Sequence, residues 1–275
     1  TMDTLIRFAR QLNLPGLMRA MGFGKLVGIL NTWNLHRVRA AVAKPYLKGL
    51  GLEIGALHFP LRLPAGANAI YLDRASRDDN IRRYTDVKPD AIVKTDIIAD
   101  GFHLQCIKPS SLNFLVANHV LEHTANVLAA LRDWAALIGP SGYLFITVPI
   151  AEKCFDRGRP ITTLDHFIED LRLAKDGDAE QFAARTLAHY KDWVLISENN
   201  LGHAPLSDAQ AQNRWKALAD QKTEIHFHTF SSGSFWELMQ YFCTTVDTDF
   251  RLVELRESGG EIIALLGRAP LKVDK

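Results

Sequence analysis

Short apolar runs alternate with helical stretches along most of the chain after residue 48. The runs have the length and the flanking turn residues of strands, and they occupy residues 47–56, 69–75, 91–97, 112–123 and 143–149. Between His123 and Leu137 the apolar residues instead recur every three or four positions, which predicts a helix that ends at Gly139. Strands that alternate with helices are typical of a mostly parallel sheet with helices on both faces. We therefore predict an α/β, doubly wound fold.

The later part of the chain departs from this alternation. Residues 150–224 are rich in charged and helix-forming residues and are too long for an ordinary connection, so we predict an inserted helical cap over the rim of the sheet. A helix over 231–242 and two closing strands over 250–258 and 261–269 follow. We expect one large domain over residues 49–275.

A basic, amphipathic arm precedes this domain. Residues 1–48 hold eight Lys or Arg side chains and a single acid, Asp3, and their apolar residues recur at helical spacing. Such an arm can lie on an anionic membrane surface, or it can pack its apolar face on the parent domain with the bases in solvent. The whole chain carries 32 basic and 31 acidic side chains. We therefore expect no nucleic-acid partner.

The composition is that of an ordinary globular protein, with 47% apolar and 23% charged residues among 275. Three cysteines, Cys106, Cys154 and Cys243, lie far apart, which fits neither a disulfide framework nor paired zinc ligands. No apolar run reaches the roughly 18 to 20 residues of a membrane-spanning helix, and the first residues lack the apolar core of a signal peptide. We expect a cytoplasmic protein.

Three acids follow the first three predicted strands. Glu53, Asp73 and Asp96 lie near the carboxyl ends of these strands, where a doubly wound sheet binds its ligands. The 18 residues from Gly55 to Asp73 are close to the roughly 20 that place a carboxylate on the ribose of a nucleoside cofactor. We expect these acids to meet at one rim.

Five segments resemble the class I S-adenosylmethionine-dependent methyltransferases, in particular the group with a V-L-E-H segment after the fourth strand. In order, the segments are LEIGA from Leu52, YLD from Tyr71, KTDI from Lys94, NHVLEH from Asn118 and GPSGYLFITVP from Gly139. The resemblance implies a seven-stranded sheet and S-adenosyl-L-methionine as cofactor. It further implies these contacts: Glu53, Gly55 and Ala56 in the loop near the methionine part, Asp73 on the ribose, Asp96 on the adenine amino group, and Asn118 with His119 beside the sulfonium.

The first loop departs from the E-x-G-x-G-x-G of this family. The chain has Glu53-Ile-Gly-Ala-Leu-His-Phe-Pro60, without glycine at positions 57 and 59. With its E-x-G-x-x-x-x-P pattern, this loop resembles the loop of methyltransferase-like proteins of bacterial surface-glycan gene clusters. That resemblance implies a sugar as acceptor. The lost glycines also allow an inactive methyltransferase-like scaffold. A dinucleotide-binding dehydrogenase is disfavoured, because its G-x-G-x-x-G fingerprint is missing from this loop.

Several histidines are candidates for catalysis or for metal binding. His119 and His123 match the zinc-protease motif H-x-x-E-H, but His119 directly follows a strand, so we do not expect the pair to share a helix. In the alternating run 224–230, His226 and His228 fall on one face of a predicted strand, as a polar wall or as a metal pair. A metal would need a third ligand, for which the candidates are Asp165, His166 and His123. We predict no metal site from these patterns.

The start of the predicted cap supplies the remaining candidates. Asp165 and His166 follow the fifth strand, whose carboxyl end faces the acceptor in the family, and Thr162 or Thr163 is expected to cap the next helix. The N/D-P-P-Y/F segment of amine-directed members is missing after strand four. We therefore predict methyl transfer to a hydroxyl or acid of a small molecule or glycan, with Asp165, His166, His226 and His228 as the catalytic residues.

Overall fold

Seven strands form one sheet in the computed structural model, which describes residues 24–270. The strands are β1 (Gly49–Ile54), β2 (Ala67–Asp73), β3 (Ile97–Ile98), β4 (Leu112–Asn118), β5 (Ile138–Pro149), β6 (Phe250–Ser258) and β7 (Glu261–Arg268). Their order across the sheet is β3-β2-β1-β4-β5-β7-β6, and only β7 runs antiparallel to its neighbours. The predicted doubly wound fold and closing strand pair are confirmed.

Seven longer helices accompany the sheet in the described residues. They are α1 (Gly24–Ala43), α2 (Arg77–Arg83), α3 (Val127–Leu137), α4 (Leu164–Asp176), α5 (Ala179–Asp192), α6 (Asp208–Asp220) and α7 (Ser232–Tyr241). A π-helical turn at Trp193–Ser197 continues α5. Thr163 caps α4 by accepting from the backbone N–H of His166, as predicted. None of the helices in residues 24–270 combines the length and apolar character needed to cross a membrane.

The two faces of the sheet are covered differently. One face packs against α3, α4 and α7 around the fully buried Trp134 and Phe230. The other face packs Phe145 and Val116 against Val42 of α1. The described part of the basic arm therefore covers a sheet face with its apolar residues, but one of its bases, Arg39, is buried against Glu261 and does not lie in solvent. Residues 1–23, which hold the rest of that arm, lie outside the described residues.

Two predicted strands are wrong. In place of a strand over 91–97, only Ile97–Ile98 pairs with β2, because the carboxylate of Asp96 accepts from the backbone N–H of Tyr71 at 3.1 Å. Residues 224–230 form an extended segment instead of a strand. The backbone N–H of Phe227 donates a hydrogen bond to the carbonyl of Glu122, which belongs to a 3-10 helical turn and not to a strand.

Candidate active site

A cavity of about 720 Å³ opens at the carboxyl ends of β1 and β2. Its volume lies in the range of about 300–1,000 Å³ that is typical of ligand pockets. Gly55 and Asp73 line it from the strand ends, and His119 lines it from the end of β4. Its other wall is formed by residues 222–224 and 227, directly after α6. The sheet and the region predicted as a cap thus share one cavity.

The loop after β1 keeps a glycine-like backbone without the usual glycines. Gly55 has φ +64° and lines the cavity, and a Cβ there would lie 3.3 Å from Cγ2 of Val120. Leu57, at a position where the family has glycine, has φ +45° and also lines the cavity. A left-handed conformation is unfavourable for a leucine. The backbone conformation of Leu57 therefore costs conformational free energy that a glycine at this position would not.

Asp73 and Asp100 are the acids that reach the cavity from the side of the sheet. Oδ1 of Asp73 accepts from the backbone N–H of Ala75 at 3.0 Å, and among the described residues its Oδ2 has no hydrogen-bond partner. Asp100 follows β3, where the third acid of the rim was expected. Asp96 does not line the cavity, since it precedes β3 and pairs with Lys94 at 2.9 Å. Asp100, and not Asp96, is therefore the acid next to β3 that lines the cavity.

Glu53, Ala56 and Asn118 are not part of the cavity lining. Glu53 is fully buried on the opposite face of β1, where its Oε1 accepts from the backbone N–H of Leu61 at 2.8 Å and from Nδ2 of Asn118 at 3.2 Å. Burial raises the pKa of Glu53 to about 7, although the Leu61 and Asn118 hydrogen bonds act against it. Glu53 and Asn118 support the strand ends from behind, and the predicted direct contacts of Glu53, Ala56 and Asn118 with a cofactor do not follow from this placement.

His119 is held between two carboxylates. Its Nε2 lies 2.9 Å from Oε2 of Glu261, and its Nδ1 lies 3.5 Å from Oε1 of Glu122. Glu261 is also bound by the buried guanidinium of Arg39 on α1. Burial lowers the pKa of His119, but the two carboxylates outweigh it and raise that pKa to about 9. His119 is therefore a cation at neutral pH and is unsuited to act as a base.

His123 is the neutral histidine of the cavity wall. Its Nδ1 lies 3.0 Å from the carbonyl oxygen of Ile225. Because a carbonyl can only accept, Nδ1 carries the proton and Nε2 keeps its lone pair. Burial lowers the pKa of His123 below its ordinary value of 6.5. This imidazole is thus neutral near pH 7, with a proton on Nδ1 only, and its Nε2 can accept a second proton.

A second carboxylate–histidine pair supports this wall. Nδ1 of His226 lies 2.6 Å from Oδ2 of Asp156, and Arg159 donates to Oδ1 of the same carboxylate at 2.8 Å. The His226 ring meets the His123 ring edge-on, with centroids 4.7 Å apart. Burial raises the pKa of Asp156, but His226 and then Arg159 outweigh it and lower the pKa to about 2. His226, predicted as catalytic, touches His123 without lining the cavity.

The other three predicted catalytic residues lie elsewhere. His166 of α4 and the fully buried His228 belong to a separate cluster with Asp170 and His189. Asp165 is exposed in the first turn of α4. None of these side chains is part of the cavity lining. The predicted common site of His226 and His228 is wrong, since their rings belong to two different clusters in the described part of the chain.

Sequence reasoning missed several residues of these sites. Asp170 follows His166 by four positions on one helix, a spacing that places both on one face and could have been noticed. Asp100 lies four residues after Asp96, the acid that the family motif favours. His189 and Glu261 carry no local signal, because each reaches its partners only through the packing of distant elements.

A sequence profile described as a methyltransferase domain matches residues 61–242, well over half of the chain. The chain belongs to this methyltransferase family. The cavity lies inside the matched region apart from Ile54, Gly55 and Leu57, and S-adenosylmethionine is the cofactor. A search among curated proteins gave no match.

Solved structures with a similar path of the chain are distant in sequence. A Rhodobacter sphaeroides protein assigned as a zinc-dependent alcohol dehydrogenase is 14% identical, with 85% of this chain and 88% of that chain covered and a TM-score of 0.46. A Haloferax volcanii protein assigned as a methyltransferase, in complex with the activator Trm112, is 12% identical (93% and 97% covered, TM-score 0.46). An S-adenosylmethionine-dependent methyltransferase from Thermotoga maritima is 14% identical (90% and 98% covered, TM-score 0.41).

The cavity residues suit this cofactor. Gly55 lines the cavity without a side chain, so a ligand can approach its backbone closely. The unpaired oxygen of Asp73 can accept from ribose hydroxyls, and Asp100 with Gly101 and Phe102 lines the adjoining part of the cavity. S-adenosylmethionine, when bound, supplies an electrophilic methyl group.

Proposed function

We propose that this methyltransferase acts on a hydroxyl group of a small, polar acceptor such as a sugar, and that His123 takes up the hydroxyl proton. The observation that carries the proposal is the neutral imidazole of His123 in the cavity wall, with its Nδ1 proton fixed on the Ile225 carbonyl. A hydroxyl must lose its proton as it is methylated, and a neutral imidazole is a suitable base. A carboxylate acceptor would need no such base.

The far wall of the cavity supports a hydroxylated acceptor. Lys222, Thr223 and Glu224 line it with an ammonium group, a hydroxyl and a carboxylate. Arg74 forms an ion pair with Glu224 across the cavity rim. Such a mixture of donors and acceptors fits a molecule with several hydroxyl groups, and its lack of a single dominant charge sign does not favour a polyanion.

The cofactor-binding part of the proposal is tested by calorimetric titration with S-adenosylmethionine and with its demethylated product. We expect Asp73→Ala to weaken binding by tenfold or more, a loss of about 1.4 kcal/mol or greater, because the unpaired carboxylate oxygen is removed. Asp96→Ala is the matched control, because this acid precedes β3 and lies outside the cavity. It should change affinity less than threefold.

Two outcomes would contradict this assignment. If neither ligand binds the wild-type protein, the loop at Leu57 has closed the site, and the scaffold alternative is favoured. If Asp96→Ala weakens binding as much as Asp73→Ala, the cofactor does not lie on the Asp73 side. Where binding is established, transfer of a labelled methyl group to a panel of sugars, carboxylic acids and amines identifies the acceptor class, and methylation of acids or amines alone would exclude the hydroxyl proposal.

A further inference from the structure

We propose that His166, Asp170, His189 and His228 form a structural zinc site that fastens the wall of the cavity to helices α4 and α5. The four side chains offer three imidazole nitrogens and one carboxylate oxygen, and these atoms all lie within 4.8 Å of one another. Three nitrogens and one oxygen from protein side chains make a complete tetrahedral set for Zn²⁺. The site does not depend on methyl transfer.

The shortest distances already match a shared metal. Nε2 of His166 lies 3.1 Å from Nε2 of His189 and 3.2 Å from Oδ2 of Asp170. Ligands at about 2.0–2.1 Å from a tetrahedral zinc are separated by roughly 3.3 Å. Two of the three distances among these atoms therefore agree with ligation of one ion.

Hydrogen bonds alone leave the cluster unsatisfied. Oδ2 of Asp170 and Nδ1 of His228 are both buried, and neither has a hydrogen-bond partner within the described residues. A buried polar atom without a partner is rare in folded proteins and requires an explanation. One cation would satisfy both atoms at once.

The surroundings of the cluster resemble the supporting groups of a metal site. Nε2 of His228 lies 3.4 Å from the carbonyl oxygen of Ala125, which places the proton on Nε2 and leaves a lone pair on the unpartnered Nδ1. Nε of Arg185 donates to Oδ1 of Asp170 at 2.6 Å, which leaves Oδ2 for a ligand. Metal-binding histidines and carboxylates are commonly oriented in this way.

The location gives the site its role. His166 and Asp170 lie one turn apart on α4, and His189 lies in the last turn of α5. His228 lies on the extended segment whose earlier residues, Glu224 and Phe227, line the cavity. An ion bound by all four would hold this segment against both helices. With four protein ligands the site is closed, which is typical of a structural zinc.

The test measures zinc, not activity. Tag-free protein is loaded with Zn²⁺, dialysed against metal-free buffer and assayed by elemental analysis. We expect stoichiometric zinc in the wild type and a loss of about tenfold or more in Asp170→Asn and His189→Ala, since each removes a ligand. His226→Asn, in the same segment but in the other histidine cluster, is the matched control and should keep its zinc.

A spectroscopic measurement guards against variants that fail to fold. Co²⁺ in place of Zn²⁺ should give the wild-type protein the intense visible bands of tetrahedral cobalt. Absence of both retained zinc and these bands would overturn the proposal. So would zinc that survives in Asp170→Asn and His189→Ala, or zinc that only His226→Asn removes, which would assign it to the cluster of Glu122, His123 and His226. None of these outcomes bears on S-adenosylmethionine binding, so the two proposals fail separately.

Discussion

Two clusters of histidines flank the same extended segment and differ in how their ring nitrogens are used. In the cluster beside the cavity, Nδ1 of His123 meets a carbonyl oxygen and Nδ1 of His226 meets the carboxylate of Asp156. Each proton is thereby placed by a protein acceptor, and the opposite nitrogen of His123 keeps its lone pair. In the cluster around α4, a ring nitrogen of His228 is itself buried without a hydrogen-bond partner among the described residues, as is Oδ2 of Asp170; in the first cluster the buried atoms without such a partner are the carboxylate oxygens of Glu122.

The difference separates proton transfer from metal binding. A histidine that acts as a base needs one nitrogen fixed and the other open to a substrate. A structural metal site needs several lone pairs converging on one point away from solvent. Residue type and count are nearly the same in both clusters, so only the partners of the individual ring atoms distinguish their roles.

The largest effect is expected on kcat when His123, the proposed base, is replaced. His123→Gln should lower kcat by about 10²- to 10⁴-fold, the usual contribution of a general base, because a glutamine amide cannot take the proton. Affinity for S-adenosylmethionine should change little in comparison. His203→Gln, at an exposed position outside the cavity, is the control, and if both variants lose kcat equally, the assignment of the base to His123 is wrong.

The pH dependence of kcat is a second test of whether His123 is the base. Burial lowers the pKa of His123 below 6.5, so its base form dominates near pH 7 and is lost only as the pH falls below 6.5. We expect kcat of the wild type to decline on that acidic side and the residual activity of His123→Gln to lack this decline. A wild-type kcat that instead rises with a midpoint near pH 9, where His119 loses its proton, would assign the base to His119.

Removal of the metal should affect stability before it affects chemistry. Zinc at about 1,000 times its Kd would stabilise the folded protein by about 4 kcal/mol, because it binds the folded state only. A chelator should therefore lower the Tm of the wild type. The Tm of His189→Ala should not respond to the chelator, and an equal response in both proteins would show that the ion stabilises some other site.

Glu53 provides a contrast with both clusters, since it is a buried acid whose hydrogen-bond partners, the backbone N–H of Leu61 and the amide of Asn118, are neutral. Its pKa in the folded protein is about 7 against an ordinary 4.5, so the folded state holds the extra proton between these values. The free energy of unfolding should therefore fall as the pH rises from 4.5 to 7, by up to about 3 kcal/mol. Glu53→Gln should remove this slope in denaturant unfolding, whereas Glu152→Gln, at an exposed position, should keep it.

The smallest effect is expected on stability, when Leu57 in the loop after β1 is replaced. Leu57→Gly and Leu57→Ala remove the same side chain, but only glycine adopts φ +45° without strain. We expect the glycine variant to be more stable than the alanine variant by about 1 kcal/mol in chemical denaturation. An alanine variant of equal or greater stability would show that this backbone conformation carries no cost.

Local patterns were sufficient for much of the sheet and for part of the cavity. The strands that end at Ile54 and Asp73 could be predicted because buried parallel strands are continuous apolar runs. Gly55 and Asp73 follow directly from them, since the end of a parallel strand fixes which residues reach the rim. Asp96 failed the same reasoning because its side chain replaces a backbone partner of Tyr71 and shortens the strand.

By itself, the sequence determined the α/β class, the closing strand pair and the family, all of which depend on periodicity and on motifs of adjacent residues. The tertiary structure alone decided which histidines meet which partners. His166 and His189 are 23 positions apart on two helices, and His226 and His228 are two apart yet belong to different clusters. The protonation and ligand roles of an imidazole depend on the atoms within about 3 Å of each ring nitrogen. Those atoms come from distant segments, so no local pattern can specify them.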